Sequence, residues 1–319
     1  MVAFPTLLGN VALFALLAVP GYLMGKQQKP AETALPGISN ILMYVAMPFL
    51  VFSKLLETDI RALRLWDLLC CGLLPFLLAL CLLALSGWIF RKWGDPTHRA
   101  ANRFCAAFPN CGFWGIPLAS ALFPDAPEVT VYVSIFNVFN TFLLLTAGVC
   151  ILSGGRKKVR LKNALVSPIT IAIILGFALS ALGVGGRMPM VRQYAAYLAQ
   201  LATPLSMLAL GMECSRVRLR RLFTNREMYA AAALRLIASP VLAMGLLWLF
   251  HRLCGAERDP LVFYGILIAA AVSTAASAPA MAAKYGADGA HAAAVAVGST
   301  ILCVFTLPVL LFLLQTLPA

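Results

Sequence analysis

Apolar runs of about 20 residues recur along the whole chain of 319 residues. A helix of that length crosses the hydrocarbon core of a bilayer, which is roughly 30 Å thick. Only 12% of the residues are charged, whereas ordinary soluble domains carry about 25%. Because a soluble fold could not cover so much apolar surface, the sequence predicts an all-α polytopic membrane protein in contact with a lipid bilayer.

We predict ten membrane spans joined by short loops. They cover residues 4–24, 37–56, 65–90, 100–123, 129–153, 165–184, 193–214, 228–250, 261–285 and 291–317, and are numbered span 1 to span 10. The chain is predicted to form one transporter domain over residues 1–319. Its first half is about 1–153, its linker about 154–164 and its second half about 165–319.

The formal net charge of +13 is predicted to orient the protein rather than to bind nucleic acid. Of the 25 Lys and Arg residues, 17 fall in loops on one side of the predicted membrane and 7 on the other, with Arg235 inside span 8. Basic loops favour the cytoplasmic side. This places both termini on the outer, periplasmic face of a bacterial cytoplasmic membrane.

Prolines recur at comparable places in the two halves. Separations of 156, 165 and 162 residues relate the pairs Pro48 and Pro204, Pro75 and Pro240, and Pro117 and Pro279. Two five-span repeats explain this pattern. Because five is odd, the second repeat would be inverted, which is typical of secondary transporters.

Spans 4 and 9 carry residues that interrupt helices. Span 4 contains Pro109, Gly112, Gly115 and Pro117; span 9 contains small residues together with Ser273, Thr274, Ser277 and Pro279. Proline removes a backbone donor, and an unsatisfied backbone group in lipid costs several kcal/mol. Such breaks are tolerated where protein or a water-filled cavity supplies partners. Matched interruptions in two halves indicate a transporter's binding site.

Pro117 and Pro279 are each predicted to lie in the first turn of a second half-helix. The N–H groups and the partial positive charge of such an end suit an anion, and Asn110 adds a side-chain amide. The alternative is that these prolines only kink packed helices. The predicted substrate-binding residues are Asn110, Cys111, Gly112, Gly115, Ile116, Pro117, Ser273, Thr274, Ser277, Ala278, Pro279, Asn137, Asn140 and Arg235.

Two charged residues near the spans have two open roles each. Arg235 lies about 10 Å from the cytoplasmic start of span 8, at 1.5 Å per residue. It would contact a carboxylate or a carbonyl at a helix break, or else extend to the interface. Glu213, at the cytoplasmic end of span 7, would pair with the neighbouring arginines or take part in proton coupling.

The remaining polar residues are weaker candidates. Asn137 and Asn140 share one face of span 5 and would line a cavity or join helices by hydrogen bonds. His98, His251 and His291 fall in loops or at span ends, so no metal site is predicted. No P-loop, metalloprotease or nucleophile-elbow motif is present in the sequence, so neither an enzyme nor direct use of ATP is predicted.

Five segments in order resemble the auxin efflux carrier family, in particular its bacterial members. They are MPFLVFSKL at 47–55, PNCGFWGIPLASALF at 109–123, TPLSMLALGMEC at 203–214, LRLIASP at 234–240, and APAMAAKYGADGAHAAAVAVGSTILCVFTLPVL at 278–310. The resemblance covers nearly the whole chain. The long cytoplasmic loop of many plant members is missing here.

This resemblance implies ten helices in two inverted repeats, with helices 4 and 9 unwound where they cross near the bilayer midplane. It also implies transport of small organic anions, since plant members move auxin and bacterial members are linked to malonate, malate and similar carboxylates. We therefore expect a secondary carrier without a cofactor. The sequence leaves open Na⁺ or H⁺ as a coupling ion, a related symporter for another solute, a transporter-like sensor, and a homodimer.

Overall fold

The computed structural model describes residues 4–59, 63–155, 167–183, 187–217, 222, 224–254 and 259–316, and these are all helical apart from turns and short connections. Within these ranges no strand occurs, and the one β-type contact is an isolated bridge. Several basic residues behind the orientation prediction lie outside the described residues, as does most of the linker: Arg61, Arg156, Lys157, Lys158, Arg160, Lys162, Arg218, Arg220, Arg221 and Arg258.

The α-helical segments are numbered in chain order. They are α1 (Phe4–Lys26), α2 (Gln28–Ile41), α3 (Met47–Glu57), α4 (Leu65–Ile89), α5 (Pro96–Ala107), α6 (Ile116–Leu122), α7 (Pro127–Leu143), α8 (Val149–Leu152), α9 (Pro168–Ala181), α10 (Pro189–Ala199), α11 (Ala202–Ser215), α12 (Arg226–Ala233), α13 (Ser239–Cys254), α14 (Pro260–Ala271), α15 (Ala278–Tyr285) and α16 (Gly289–Thr316). A short 3₁₀ turn at Phe90–Lys92 follows α4.

Six continuous helices are long and apolar enough to cross a membrane: Thr33–Glu57, Leu65–Lys92, Pro127–Leu152, Pro189–Ser215, Arg226–Leu253 and Gly289–Gln315. Four shorter apolar helices are Val11–Lys26, Cys111–Leu122, Pro168–Ala181 and Pro260–Ala271. Each of these helices overlaps one predicted span. The all-helical membrane fold is confirmed, whereas the arrangement as ten crossings in inverted repeats stays a prediction.

Three of the four π-helical turns have the same cause. The turns Leu42–Ala46, Cys111–Gly115 and Leu234–Ala238 are followed, two residues later, by Pro48, Pro117 and Pro240. Proline clashes with the carbonyl four residues before it, and that residue is the centre of each π turn. The wider turn makes room for the ring, so the helix bends but continues. The fourth π turn, Leu144–Gly148, has no proline; there Thr146 Oγ1 donates to Phe142 O at 2.7 Å.

The spans pack in two groups. Spans 1, 2, 6 and 7 pack mainly on one another, and we call them the four-span group. Spans 3, 4, 5, 8, 9 and 10 pack together as the six-span group. Each group takes spans from both halves of the chain: spans 1 and 2 pack with spans 6 and 7. The boundary between the groups therefore does not follow the midpoint of the sequence.

Within the four-span group, glycines bring α1 and α11 into backbone contact. A Cβ added at Gly21 would overlap the carbonyl of Leu208, and one at Gly211 would overlap the carbonyl of Ala18. Small residues permit this close approach of two membrane helices. No side-chain layer separates the helices at these positions, so any larger residue there must push them apart.

The first half of span 4 begins at Pro96, earlier than predicted. Asp95 caps this end, since its Oδ1 accepts from Thr97 N at 2.8 Å and His98 N at 2.9 Å. The His98 N–H and the Thr97 hydroxyl lower the pKa of the exposed Asp95 to about 2. Two backbone N–H groups in the first turn of α5, those of Thr97 and His98, are thus bonded to the Asp95 side chain.

Candidate functional site

Spans 4 and 9 are both broken, as predicted, and their broken segments contact each other. We call Phe108–Asn110 the span-4 break and Val272–Ser277 the span-9 break; they follow α5 and α14, respectively. The backbone N–H of Asn110 donates to Ser273 O at 2.8 Å, and the backbone N–H of Ala275 donates to Phe108 O at 2.9 Å. These two bonds form an antiparallel bridge, so extended backbone in one break satisfies extended backbone in the other.

Arg235 holds the carbonyl ends of both first half-helices. Its Nη1 donates to Ala107 O at 2.9 Å and to Ala106 O at 3.3 Å, both in the last turn of α5. Its Nη2 donates to Ala270 O of α14 at 2.6 Å and to Ser239 Oγ. Helix carboxyl ends carry partial negative charge. A guanidinium between two such ends is therefore stabilised without a carboxylate partner.

Other side chains satisfy the remaining carbonyls of these ends. Thr274 Oγ1 donates to Cys105 O at 2.9 Å. Cys111 Sγ lies 3.2 Å from Ala269 O. The last carbonyl of α14, that of Ala271, accepts from Cys303 Sγ at 3.6 Å. The orphan acceptors that a broken helix leaves in a membrane are thus supplied from within the protein.

Arg235 is completely buried, so it does not extend to an interface. Of the roles left open by the sequence, contact with carbonyls at a helix break is the one that the structure contains. Its position in the π turn Leu234–Ala238 aims it across the six-span group. Arg235 does not line the cavity described below.

The second half-helices start beside the breaks. Pro279 lies in the first turn of α15, as predicted. Pro117 lies in the first turn of α6, but the helix extends back through the π turn to Cys111, so the free amino end is further from Pro117 than expected. The first N–H groups of a helix have no acceptor within it. Both starts therefore present backbone donors near the breaks.

A cavity of about 550 Å³ opens at these starts, between the two groups of spans. Span 7 of the four-span group forms one wall, and spans 4, 9 and 10 of the six-span group form the rest. The lining residues are Asn110, Leu210, Glu213, Cys214, Arg216, Thr274, Ala276, Pro279, Ala280, Ala283, Ala287, Asp288, Gly289, Ala290, Ala293, Ala296, Val297 and Thr300.

Three of the predicted site residues line this cavity: Asn110, Thr274 and Pro279. The others lie around the breaks without lining it: Cys111, Gly112, Gly115, Ile116, Pro117, Ser273, Ser277, Ala278, Asn137, Asn140 and Arg235. The cavity therefore borders the predicted segments, whereas most of the predicted residues do not line it, and their role in substrate binding stays a prediction.

Asn110 is a polar residue of the cavity with an unpaired hydrogen-bond donor. Its side chain is only 6% exposed, and its Nδ2 has no hydrogen-bond partner among the described residues. Ser273 Oγ, in the span-9 break, is buried in the same condition. Buried polar atoms are nearly always bonded, so an unpaired donor on a residue that lines the cavity indicates a place for a ligand or water beside it.

Asn137 and Asn140 are buried on span 5, behind the span-4 break. A Cβ added at Gly112 would lie 3.7 Å from Asn137 Oδ1, so this amide packs against the π turn. Its contact fits the prediction of an asparagine that joins helices more closely than that of a cavity residue.

Charges of both signs surround the cavity. Glu213 and Arg216 enter it from the end of span 7, and Asp288 enters from the loop before α16. Within the described residues Glu213 forms no ion pair of the length expected for a salt bridge. The expected partners Arg218, Arg220 and Arg221 lie outside the described residues.

A cluster that the sequence analysis missed lies beside Asp288. His98, Glu227 and His291 come from the starts of α5, α12 and α16, and one ligand-type atom of each lies within 4.8 Å of the others. The two imidazoles stack with ring centroids 4.4 Å apart. Asp288 Oδ2 lies 2.9 Å from His98 Nε2. The His291 amide, with His98, lowers the pKa of Asp288.

Comparison with known proteins agrees with this architecture. Residues 7–311 match the model of a family described as membrane transport proteins. The chain is 24% identical over 320 residues to a candidate malonate transporter of Rhizobium meliloti (strain 1021), covering 98% of this chain and 97% of the relative. It is 27% identical over 241 residues to an uncharacterised transporter of Methanothermobacter thermautotrophicus (strain Delta H), covering 72% of this chain and 74% of that protein.

The family match spans nearly the whole chain, including both breaks, Arg235 and the cavity. Four of the five segments that resemble known carriers, all except 47–55, contribute to the breaks, to Arg235 or to the cavity. The chain belongs to the auxin efflux carrier family of membrane transport proteins.

Proposed function

We propose that this protein is a secondary active carrier that moves a small organic anion, a carboxylate, across the bacterial cytoplasmic membrane. The observation that carries the proposal is the unpaired Nδ2 of Asn110 in a cavity at the amino ends of two half-helices. An amide donor and helix amino ends favour negative charge.

The size of the cavity supports a small substrate. Ligand sites in proteins commonly measure about 300–1,000 Å³, and this one has about 550 Å³. That volume accommodates a dicarboxylate of a few carbon atoms with part of its water. The relative described as a candidate malonate transporter supports the same class of substrate.

The packing of the spans supports transport by alternating access. The cavity lies between the four-span and six-span groups, and each group draws on both halves of the chain. That composition is what two inverted five-span repeats would give. We propose that the six-span group, with both breaks, moves against the four-span group by rocking or by an elevator motion, exposing the cavity to one side at a time.

Binding tests this proposal most directly. The purified protein is heated with a panel of mono- and dicarboxylates, for wild type, Asn110→Ala and Ser134→Ala. Ser134 is a buried hydroxyl bonded within span 5 and serves as the control. A ligand that binds only the folded state raises its melting temperature. We expect one carboxylate to stabilise wild type and Ser134→Ala, and not Asn110→Ala.

Stabilisation that is equal in Asn110→Ala would contradict a site at the breaks. If no carboxylate stabilises any variant, with and without Na⁺ and at two pH values, an anion carrier is the wrong proposal and a sensor or a carrier of another solute takes its place. Uptake of the radiolabelled ligand into proteoliposomes then separates a carrier from a sensor.

One observation favours proton-coupled symport as the second candidate function. Glu213 lines the same cavity as Asn110, and an ionised carboxylate there would repel an anion. A proton bound to Glu213 removes that repulsion, so proton and substrate would enter together. The other ionisable groups around this position are Arg216, Asp288 and Cys214 in the cavity, and Tyr22 and Lys26 on α1, which packs on α11.

This coupling predicts uptake that rises as the external pH falls. Glu213→Gln, which is permanently neutral, should transport at a rate that no longer depends on a pH gradient, while still binding the anion. Proteoliposomes with imposed pH gradients measure both. A gradient-driven Glu213→Gln variant would remove Glu213 from coupling and leave the anion site itself untouched.

A further inference from the structure

We propose that His98, Glu227 and His291 form a binding site for one divalent transition metal ion, Zn²⁺ in the first place. The three residues come from three different helices, α5, α12 and α16, and meet at one end of the six-span group. The three ligand residues do not line the proposed anion cavity, and Asp288 lies between the two sites because it lines the cavity and contacts His98. The metal site does not depend on the transport function.

The distances between the ligand atoms carry the argument. Glu227 Oε2 lies 3.6 Å from His98 Nδ1 and 3.6 Å from His291 Nε2. Both separations exceed those of ordinary hydrogen bonds. Ligands of tetrahedral zinc, at about 2.0–2.1 Å from the metal, stand about 3.4 Å from one another. Glu227 Oε2 is therefore spaced from each imidazole nitrogen as along one edge of such a tetrahedron. The two rings, which stack with centroids 4.4 Å apart in the metal-free protein, would turn so that both nitrogens face the metal.

The surroundings supply the outer contacts that metal sites require. A metal-bound histidine usually donates its other ring N–H to a carboxylate, which fixes the ring. His98 is arranged in this way, because Nδ1 faces Glu227 while Nε2 lies 2.9 Å from Asp288 Oδ2. Glu227 and Asp288 together would balance the two charges of the metal. Two imidazoles and one carboxylate favour zinc-like ions over Mg²⁺ or Ca²⁺.

The exposure of the three ligand residues and their present hydrogen bonds show how a metal would reach the site and what it would displace. The side chains of His98 and Glu227 are 33% and 22% exposed, whereas that of His291 is 5% exposed, so a metal can enter towards a fixed inner ligand. Asn102 now bridges two of the ligands: its Oδ1 lies 2.8 Å from His291 Nε2, and its Nδ2 donates to Glu227 Oε2 at 2.7 Å. A metal at His291 Nε2 needs the neutral tautomer that carries its hydrogen on Nδ1, so binding moves this hydrogen from one ring nitrogen to the other.

The experiment measures metal on the full-length protein, purified without a polyhistidine tag and treated with chelator. Equilibrium dialysis against ZnCl₂ gives the stoichiometry and affinity, and CoCl₂ gives the visible spectrum of a tetrahedral site. Variants are His98→Gln, Glu227→Gln and Asp288→Asn, with His251→Gln as the control histidine. MgCl₂ is the control ion.

We expect one Zn²⁺ per chain in wild type and His251→Gln, and an affinity at least about tenfold lower in the two ligand variants. Asp288→Asn keeps all three ligands and should weaken binding by about 10–100-fold; it also serves if a ligand variant does not fold. Co²⁺ should give a tetrahedral spectrum without thiolate bands. Zinc at background level in wild type, equal binding in all variants, or a cobalt–thiolate spectrum would overturn the proposal.

Discussion

The two kinds of helix end at the breaks are treated in opposite ways. The carbonyl ends of α5 and α14 are occupied by Arg235, Thr274, Cys111 and Cys303. The amino ends of the second half-helices face a cavity. Asn110 lines this cavity, and its side-chain Nδ2 has no partner among the described residues. The carbonyl ends, which carry partial negative charge, are bonded by the protein's own groups. The amino ends, which carry partial positive charge, face the cavity instead.

This difference accounts for the sign of the proposed substrate. A cation bound at the breaks would need free acceptors there, yet the acceptors of these helix ends are already bonded within the protein. The carboxylates of the cavity, Glu213 and Asp288, come instead from the end of span 7 and the loop before α16. At the span-4 break the unpaired group is a donor, Asn110 Nδ2. This difference can be tested in two ways. One substitution removes a donor that bonds the carbonyl ends, and another places a negative charge at an amino end.

The largest effect is expected from Arg235→Met. Loss of the guanidinium leaves the carbonyls of Ala106, Ala107 and Ala270 with fewer donors, at about 1–3 kcal/mol for each buried group left unsatisfied. The melting temperature should fall steeply, or the protein should fail to purify in folded form. Arg187→Met, at an exposed arginine, is the matched control. Equal melting temperatures for the two variants would show that Arg235 does not hold the breaks.

The next effect is expected from Asn110→Asp. The new carboxylate has the shape of the amide and would itself be stabilised at a helix amino end, so the folded protein should lose no stability. It would also repel an anion in the cavity. We expect transport of the carboxylate to fall at least about tenfold with an unchanged or higher melting temperature. Normal transport by this variant would refute an anion site beside Asn110.

A smaller effect is expected from Thr274→Val, which keeps the shape of the side chain but removes the bond to Cys105 O. The buried carbonyl left behind should cost about 1–3 kcal/mol of folding free energy. Thr130→Val is the control, because Thr130 Oγ1 is buried without a hydrogen-bond partner among the described residues. Melting without ligand is the measurement. A Thr274→Val protein as stable as Thr130→Val would mean that this bond contributes nothing.

The smallest effect concerns Asp95, which caps the opposite end of α5. Its pKa in the folded protein is about 2, below the ordinary value of 3.8. The cap therefore stabilises the fold fully above the ordinary pKa, and this contribution is lost as the pH falls through about 2. Asp95→Ala should lower the melting temperature slightly at pH 7, and this difference should shrink towards pH 2. A difference that grows on acidification would contradict the cap.

The sequence predicts the helices well because a span is a local property. Each apolar run of about 20 residues needs a helix in lipid whatever surrounds it, and the prolines of spans 4 and 9 locate the breaks in the same way. Even the π turns follow from single residues, namely Pro48, Pro117 and Pro240.

The contacts between distant segments were beyond such reasoning. Arg235 was assigned two open roles, because its carbonyl partners lie 35 to 129 residues away in sequence. His98 and His291 each looked isolated, yet their rings stack. Glu213 was given two open roles, pairing with nearby arginines or proton coupling, and the sequence did not show that it would line a cavity built largely by other spans. Only the packing of the groups brings these residues together.

The glycine contact between spans 1 and 7 has a mechanical consequence. At Gly21 and at Gly211 the backbone of the partner helix lies so close that no further carbon atom fits. The two helices are therefore in direct backbone contact at both positions. Span 1 belongs to the first half of the chain and span 7 to the second. In the proposed transport motion the two halves of the sequence would therefore stay joined at this contact, and the moving boundary would cut across both of them.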